Sequence, residues 1–245
     1  RQRRHAAQEG AADAEDVDVH RGILGSAAPR PAAFAGLGAV RRVRGHNAPM
    51  DNGKREIAAA AARLVVEEGL EYGAAKRRAL RDLGLPVRTA LPGNDEVEAE
   101  VRDYIRLFCA DTQPGELLAL RRLALQWMER LAEFRPHLGG AVWHGTATHL
   151  SDIYIQLFCD DPKSCEIALI DHHVDYEPRQ VTGFHGERVE ALSIHALCRE
   201  LGIEVGVHLL VNDLDDLRGA LRPDSQGRTP RGDLAAVRRL MEQEA

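Results

Sequence analysis

PHLGGAVWHGTATHLSDIYIQLFCD, residues 136–160, carries the strongest structural signal in this sequence. It holds a Gly-Gly pair, a Gly-Thr turn, and then Ser151-Asp152 leading into the alternating apolar residues Ile153, Ile155 and Leu157. Alternation of this kind predicts a half-buried strand with Tyr154 and Gln156 on the face opposite the isoleucines and Asp152 at its mouth. A carboxylate at the start of a strand, beside a Gly-rich turn, is a place where a metal and a phosphate can be held. The competing reading is a β-hairpin whose Ser and Asp satisfy the turn backbone.

Working outward, the N-terminal side reads as helices. KREIAAAAARLVVEEG places Ile57, Ala61, Leu64 and Val65 at helical spacing, with Asp51 or Asn52 as the cap and Gly69 as the stop. YGAAKRRALRDLG repeats the plan, with Ala75, Ala79 and Leu83 as a narrow stripe and the basic cluster Lys76, Arg77, Arg78 and Arg81 turned outward. Asp95 with Glu98 predicts the start of a third helix lined by Val97, Val101, Tyr104, Ile105 and Phe108. The turn Thr112-Gln113-Pro114-Gly115 leads into a long helix through Leu117, Leu120, Ala124, Trp127, Met128 and Leu131, which Pro136 ends. On the C-terminal side, PKSCEIALIDHH reads as a helix, and residues 176–181, 188–194 and 203–211 read as strands. NDLDDLRGAL is an acidic helix or turn, and DLAAVRRLMEQEA is a final amphipathic helix. The fold class expected is α/β (α+β), a mixed sheet with helices over residues 136–245, preceded by a helical section over 54–135.

Written as GG-x4-GTAT-x2-SDI, the central stretch resembles the nucleotide-binding core of the DNA polymerase β-like nucleotidyltransferases, especially the minimal and antibiotic-modifying branch. That family's pattern is an apolar residue, Gly-Ser, a short Arg-Gly-Thr-Ala turn, and Ser-Asp-hydrophobic-Asp on the next strand. Over this chain, Gly140 takes the Gly of the Gly-Ser pair, Gly145-Thr146-Ala147 the turn, and Ser151-Asp152-Ile153 the start of the catalytic strand. The resemblance implies a protein that binds a nucleoside triphosphate and transfers a nucleotidyl group to a hydroxyl acceptor. Asp152 would be the catalytic residue and would hold Mg2+, with His208 the nearest candidate for a further metal position. Gly140, Gly145, Thr146 and Ser151 would bind the nucleotide, the glycines and Thr146 through backbone amides and Ser151 by orienting Asp152. The chain departs from the pattern at three places: Ala141 stands at the phosphate-binding Ser, Tyr154 at the second Asp, and His208 near the third carboxylate. Two divalent ions need hard oxygen ligands on one face, so these departures open an alternative: a catalytically silent member kept as a ligand-sensing or protein-interaction module.

Other constellations compete less well. Asp171-His172-His173 matches one signature of the DHH phosphoesterases, but the H-x-D-x-D arrangement that chemistry needs upstream is missing. Seven of the eleven histidines fall between His144 and His208, and a Zn2+ site of Asp152, His144, His149 and His208 is conceivable against a reading of exposed turn and satisfied strand residues. There is no nucleophile elbow, no Rossmann fingerprint and no G-x-x-G-K-T loop of the kind muramate–alanine ligases use; Gly53-Lys54 lies in Asn-Gly-Lys-Arg at a helix start.

Composition sets the remaining bounds. The 245 residues carry a formal net charge of −6 and only 4% aromatics, which argues against a nucleic-acid partner. No apolar run reaches the ~20 residues that cross a bilayer, so no membrane partner is expected. The first residues never reach the apolar core of a signal peptide, and Cys109, Cys159, Cys165 and Cys198 show no C-x-x-C spacing; a cytoplasmic protein fits. The expected partner is a nucleotide or other small phosphorylated ligand, with a protein partner under the silent alternative. Residues 1–49, rich in Ala, Gly, Arg and Pro and lying ahead of the first methionine, Met50, are expected to be disordered or a non-native extension.

Overall fold

The computed structural model describes residues 52–183, 188–223 and 227–243, so the expectation for 1–49 lies outside the described residues. They fall into two compact units, divided between Ala110 and Asp111. In the first, helices α1 (Asn52–Glu68), α2 (Tyr72–Asp82) and α3 (Asn94–Phe108) share one core. Ile57, Ala58, Ala61 and Leu64 of α1 meet Ala75, Ala79 and Leu80 of α2 and Val97, Val101 and Ile105 of α3. The alanines of α1 leave room for both other helices to lie against it. Gly69 ends α1 in the left-handed conformation, φ +67°, and Leu70 N–H returns to the Leu64 carbonyl at 3.4 Å, a Schellman stop.

Several expectations change in this unit, beginning with Leu83 and Phe108, expected on apolar faces but exposed. Lys76 is not displayed outward: it is buried, and its Nζ donates to Asn94 Oδ1 at 2.8 Å. The third helix is capped two residues earlier than Asp95-Glu98 suggests. Gly93 is the cap, its N–H donating to Glu96 Oε2 at 2.7 Å, while Glu98 is buried and pairs with Arg102.

The second unit is α/β, as expected. Its elements are α4 (Gln113–Arg130), β1 (His137–Gly139), α5 (Gly140–His144), β2 (Ile153–Cys159), α6 (Pro162–Asp171), β3 (Glu177–Thr182), β4 (Arg188–Cys198), β5 (Ile203–Asp213), α7 (Leu217–Ala220), β6 (Arg231–Asp233) and α8 (Leu234–Gln243). The long helix α4, grouped from sequence with the helices before it, belongs to this unit: Leu117, Leu120, Ala124, Trp127 and Met128 share the core of the sheet. Its apolar stripe alone does not say which neighbour it covers, and the sheet supplies the larger surface.

The sheet runs β3-β4-β5-β2-β1-β6. Only β2 and β5 are parallel among these neighbours. The alternation read in 153–157 holds. Ile153, Ile155 and Leu157 line up with Val207, Leu209 and Val211 on β5, and with Leu192 and Ile194 on β4, to make the face under α4, α6 and α8. Each such side chain contributes about 1.5–3 kcal/mol when fully buried, so this face carries most of the unit's apolar stabilisation. The opposite face is different. Register places Glu177, Ser193, His208, Tyr154, Gly139 and Arg231 in one row across all six strands. A mainly polar row across a sheet is where a site is found, because buried polar groups cost free energy unless each is partnered.

Candidate functional site

The Gly-rich loop is shaped from below by two buried side chains of α4. Arg121, 1% exposed, donates through Nε to the Val142 carbonyl at 3.0 Å and through Nη2 to the Trp143 carbonyl at 3.4 Å. Gln113 Nε2 donates to the carbonyls of Gly145, at 3.2 Å, and Ala147, at 2.9 Å. A one-turn helix such as α5 leaves its last carbonyls without intrahelical partners; Arg121 supplies them, and Gln113 holds the carbonyls of the turn that follows. Gly140 and Gly145 both sit in the left-handed region, φ +66° and +80°, where a side chain would strain the backbone. From above, Trp143 lies on Gly232 of β6 and donates from Nε1 to the Thr229 carbonyl at 2.8 Å. Neither Gln113 nor Arg121 stood out as a loop support in the sequence. Arg121 was legible in principle: it falls on the same helical face as Leu117, Ala124 and Met128, where a charge needs a reason.

Beside the loop, three strands assemble a hydrogen-bonded chain. Asp152, at the mouth of β2, accepts from the Gly206 N–H at 3.2 Å and sits 3.3 Å from His208 Nε2. His208 Nδ1 lies 3.0 Å from Ser193 Oγ. With the ring proton on Nε2, His208 donates to the carboxylate and accepts from the serine hydroxyl, so both nitrogens are satisfied. The order inverts that of a nucleophilic serine triad: the serine is the buried end and the carboxylate, its side chain 42% exposed, is the end open to a ligand. Tyr154 stacks on His208 with ring centroids 5.0 Å apart and also meets Gly140. Asp152, Tyr154 and His208, the positions at which the resemblance places three carboxylates, therefore do lie together.

The other predicted residues have local duties. The amides of Gly145 and Thr146 both donate to the Ala141 carbonyl, so neither is free to hold a phosphate in this conformation. The Thr146 hydroxyl is buried and has no hydrogen-bond partner among the described residues. Ser151 does not orient Asp152; its Oγ accepts from Thr148 N–H at 3.0 Å and closes the turn. His149 is exposed and bound to Glu116, N–H to Oε2 at 2.9 Å and Nδ1 to Oε1 at 3.1 Å. Asp171, His172 and His173 form the exposed C-terminal end of α6, with His173 in a left-handed conformation, φ +54°.

Among the described residues no three His, Cys, Asp or Glu side chains are grouped to hold a metal ion, so neither the zinc set nor a two-ion centre assembles. Among the described residues Asp152 and His208 are the carboxylate and imidazole at the site itself, and His208 is turned to Asp152 as its hydrogen-bond donor. At the far end of the polar row, burial lowers Arg231 to about 10, and its Nη1 donates to the Ala220 carbonyl. One layer on, burial also holds His137 below its ordinary value, with Nδ1 donating to the Arg135 carbonyl at 2.8 Å. A half-open cavity of about 450 Å³ lies elsewhere, between α4 and the end of β4, lined by Leu123, Trp127, Arg130, Ala196 and Arg199; none of the site residues borders it. No helix among the described residues is long and apolar enough to cross a membrane. Comparison of the chain with protein-family models, with curated proteins and with solved structures finds no match.

Proposed function

We propose that the protein is a nucleotidyltransferase-like module that binds a nucleoside triphosphate at the mouth of β2 and does not transfer its nucleotidyl group. The observation that carries this reading is the convergence of Asp152, Tyr154 and His208 beside Gly140, with one carboxylate where three would be needed. A single Mg2+ suits such a place, since that ion keeps several waters and takes one or two carboxylates together with substrate phosphates. Asp152 would hold it, each carboxylate oxygen having a lone pair left after its bond to Gly206 or His208. The ion would offset the repulsion between carboxylate and triphosphate. The Gly206 amide and His208 fix the carboxylate, Ser193 fixes the imidazole, and the Thr146 hydroxyl is a buried group that a ligand in the loop could complete.

A second divalent ion does not fit. Tyr154 and His208 supply a phenol and an imidazole that is already engaged, and neither brings the negative charge that two-ion activation of a hydroxyl requires. The protein partner of the alternative reading enters here as the target such a nucleotide-sensing module would report to.

Calorimetric titration with ATP, CTP, GTP and UTP, with and without Mg2+, tests the proposal. Expected is binding that needs the ion and weakens at least about tenfold in Asp152→Ala, the loss of a charge-assisted contact. Absence of binding by all four nucleotides sinks the proposal. Pyrophosphate release by the wild type that disappears in Asp152→Asn would instead establish an active transferase.

A further inference from the structure

The end of β2 opposite Asp152 carries a second piece of chemistry. Cys159, the last residue of β2, and Cys165, in α6, place their sulfurs 3.6 Å apart. Both are free thiols, Cys159 half-buried and Cys165 fully buried. The turn between them is fixed. Asp161 caps α6 by accepting from Lys163 N–H at 3.0 Å, Pro162 presets the first helical residue, and the Cys159 thiol donates to the Asp161 carbonyl at 3.4 Å. With the one S–H of Cys159 engaged by the Asp161 carbonyl, the Cys165 S–H is the donor in the contact between the sulfurs. The sulfurs are in van der Waals contact, and a covalent bond of about 2.05 Å requires them to close by about 1.5 Å.

We propose that Cys159 and Cys165 are a dithiol modification site that a low-molecular-weight disulfide converts to an intramolecular disulfide, tying the end of β2 to the first turns of α6. The order of events follows from access. The Cys159 sulfur, having lost its proton to solvent, attacks one sulfur of the small disulfide; a Cys159 S–S bond forms, the reagent's S–S bond breaks, and one small thiol leaves with a proton. Cys165, which no reagent reaches directly, then attacks the Cys159 sulfur, loses its proton and expels the second small thiol. Two protein thiols are oxidised by two electrons and one small disulfide is reduced to two thiols, so the exchange balances. Burial raises both thiols above their ordinary values, Cys165 strongly, and Asp160, Asp161 and Asp213 add to the effect at Cys159. The reaction is therefore slow at neutral pH and speeds up as the pH rises.

The test uses the full chain under native conditions with glutathione disulfide. The wild type is expected to lose two of its four titratable thiols and about 2 Da of mass. Trypsin cuts after Lys163, between the two cysteines, so the disulfide joins peptide 131–163 to peptide 164–179, and reduction separates them. Cys165→Ala is expected to stop at a stable adduct on Cys159, a gain of about 305 Da. Cys159→Ser, a change at the more accessible position, is expected to leave Cys165 unreacted while the far-ultraviolet circular dichroism stays that of the wild type. A mixed disulfide that persists on Cys159 in the wild type overturns the proposal. So does Cys165 reacting in Cys159→Ser, a cross-link through Cys109 or Cys198 in its place, or no loss of the Cys159 and Cys165 thiols after exposure at alkaline pH.

Discussion

Gly232→Ala gives the sharpest check on how the Gly-rich loop is seated. A Cβ at this position would stand 2.3 Å from both Cζ3 and Cη2 of Trp143 and 3.0 Å from Cε3. Carbon atoms pack at about 3.5–4.0 Å, so the indole has to move by more than an ångström. Moving it breaks the 2.8 Å bond from Nε1 to the Thr229 carbonyl. Overpacking costs about 1–3 kcal/mol and one hydrogen bond about 0.5–1.5 kcal/mol net, but Trp143 is half-buried and can tilt toward solvent. The expected loss is therefore about 1–3 kcal/mol, which lowers Tm by about 2–4 °C per kcal/mol in a chain of this size. The decisive assay is a double-mutant cycle in urea with Trp143→Ala. The three atoms nearest the added methyl all belong to the indole, so without it Gly232→Ala should cost less than about 0.5 kcal/mol. The reasoning is refuted if the glycine substitution costs the same in both backgrounds, or nothing in the wild type.

Three further outcomes follow from the same geometry. Gly206→Ala would set a methyl 2.6 Å from Asp152 Oδ1 and 3.0 Å from His208 Nε2, and should swing the half-exposed carboxylate off the imidazole. Nucleotide affinity should then fall as in Asp152→Ala at a stability cost of only about 0.5–1.5 kcal/mol, and unchanged binding by calorimetry counts against the site. Arg121→Met keeps the length of the side chain but strips the Val142 and Trp143 carbonyls of their donors, for an expected loss of about 3–5 kcal/mol in urea unfolding; a loss under about 1 kcal/mol contradicts the role given to Arg121. His137 is held below its ordinary 6.5 by burial, so the unfolded chain takes up its proton first as the pH falls. Its contribution to stability is present above 6.5 and is lost as the pH drops through the lower folded value, and His137→Gln should flatten the stability profile below pH 6.5.

Much of the second unit was legible because strand alternation and helix periodicity are local signals. Ile153, Ile155 and Leu157 face the core as their spacing says, and 162–171 is helical despite its short apolar run. What stayed hidden depends on partners far away in the chain. Whether α4 covers the sheet cannot be read from its own stripe. The donors that hold the loop, Gln113 and Arg121, act on carbonyls, and backbone carbonyls have no sequence signature. Ser193 looks like one more polar residue on an alternating strand until the pairing of β4 with β5 puts it against His208. Register, set by many weak contacts, is the step that turns a sequence pattern into a site.

The same register couples the two positions, Tyr154 and His208, at which the proposed resemblance expects carboxylates. Tyr154 and His208 are neighbours across β2 and β5, stacked at 5.0 Å, and His208 is additionally bonded to Ser193 and Asp152. Replacing either residue alone leaves the other packed against a gap, so restoring the resemblance requires Tyr154→Asp together with His208→Asp. The double variant would bring three carboxylates together at a place where His208 is only 3% exposed, and an unpaired buried charge costs about 3–5 kcal/mol. Apo protein of this kind should therefore be less stable than the wild type by at least that much. A divalent ion that fits the three carboxylates should return stability in proportion to its binding, about 2.7 kcal/mol at one hundred times Kd. Thermal unfolding with and without Mn2+ measures this directly. Recovery in the double variant, with no effect of Mn2+ in the absence of nucleotide on a wild type whose single carboxylate holds the ion weakly, would mean that the strands still carry the geometry of a metal centre whose charge has been replaced by a tyrosine and a histidine. If Mn2+ leaves the variant as unstable as before, the three positions do not form such a centre, and the proposed nucleotide site is refuted in its metal-binding part.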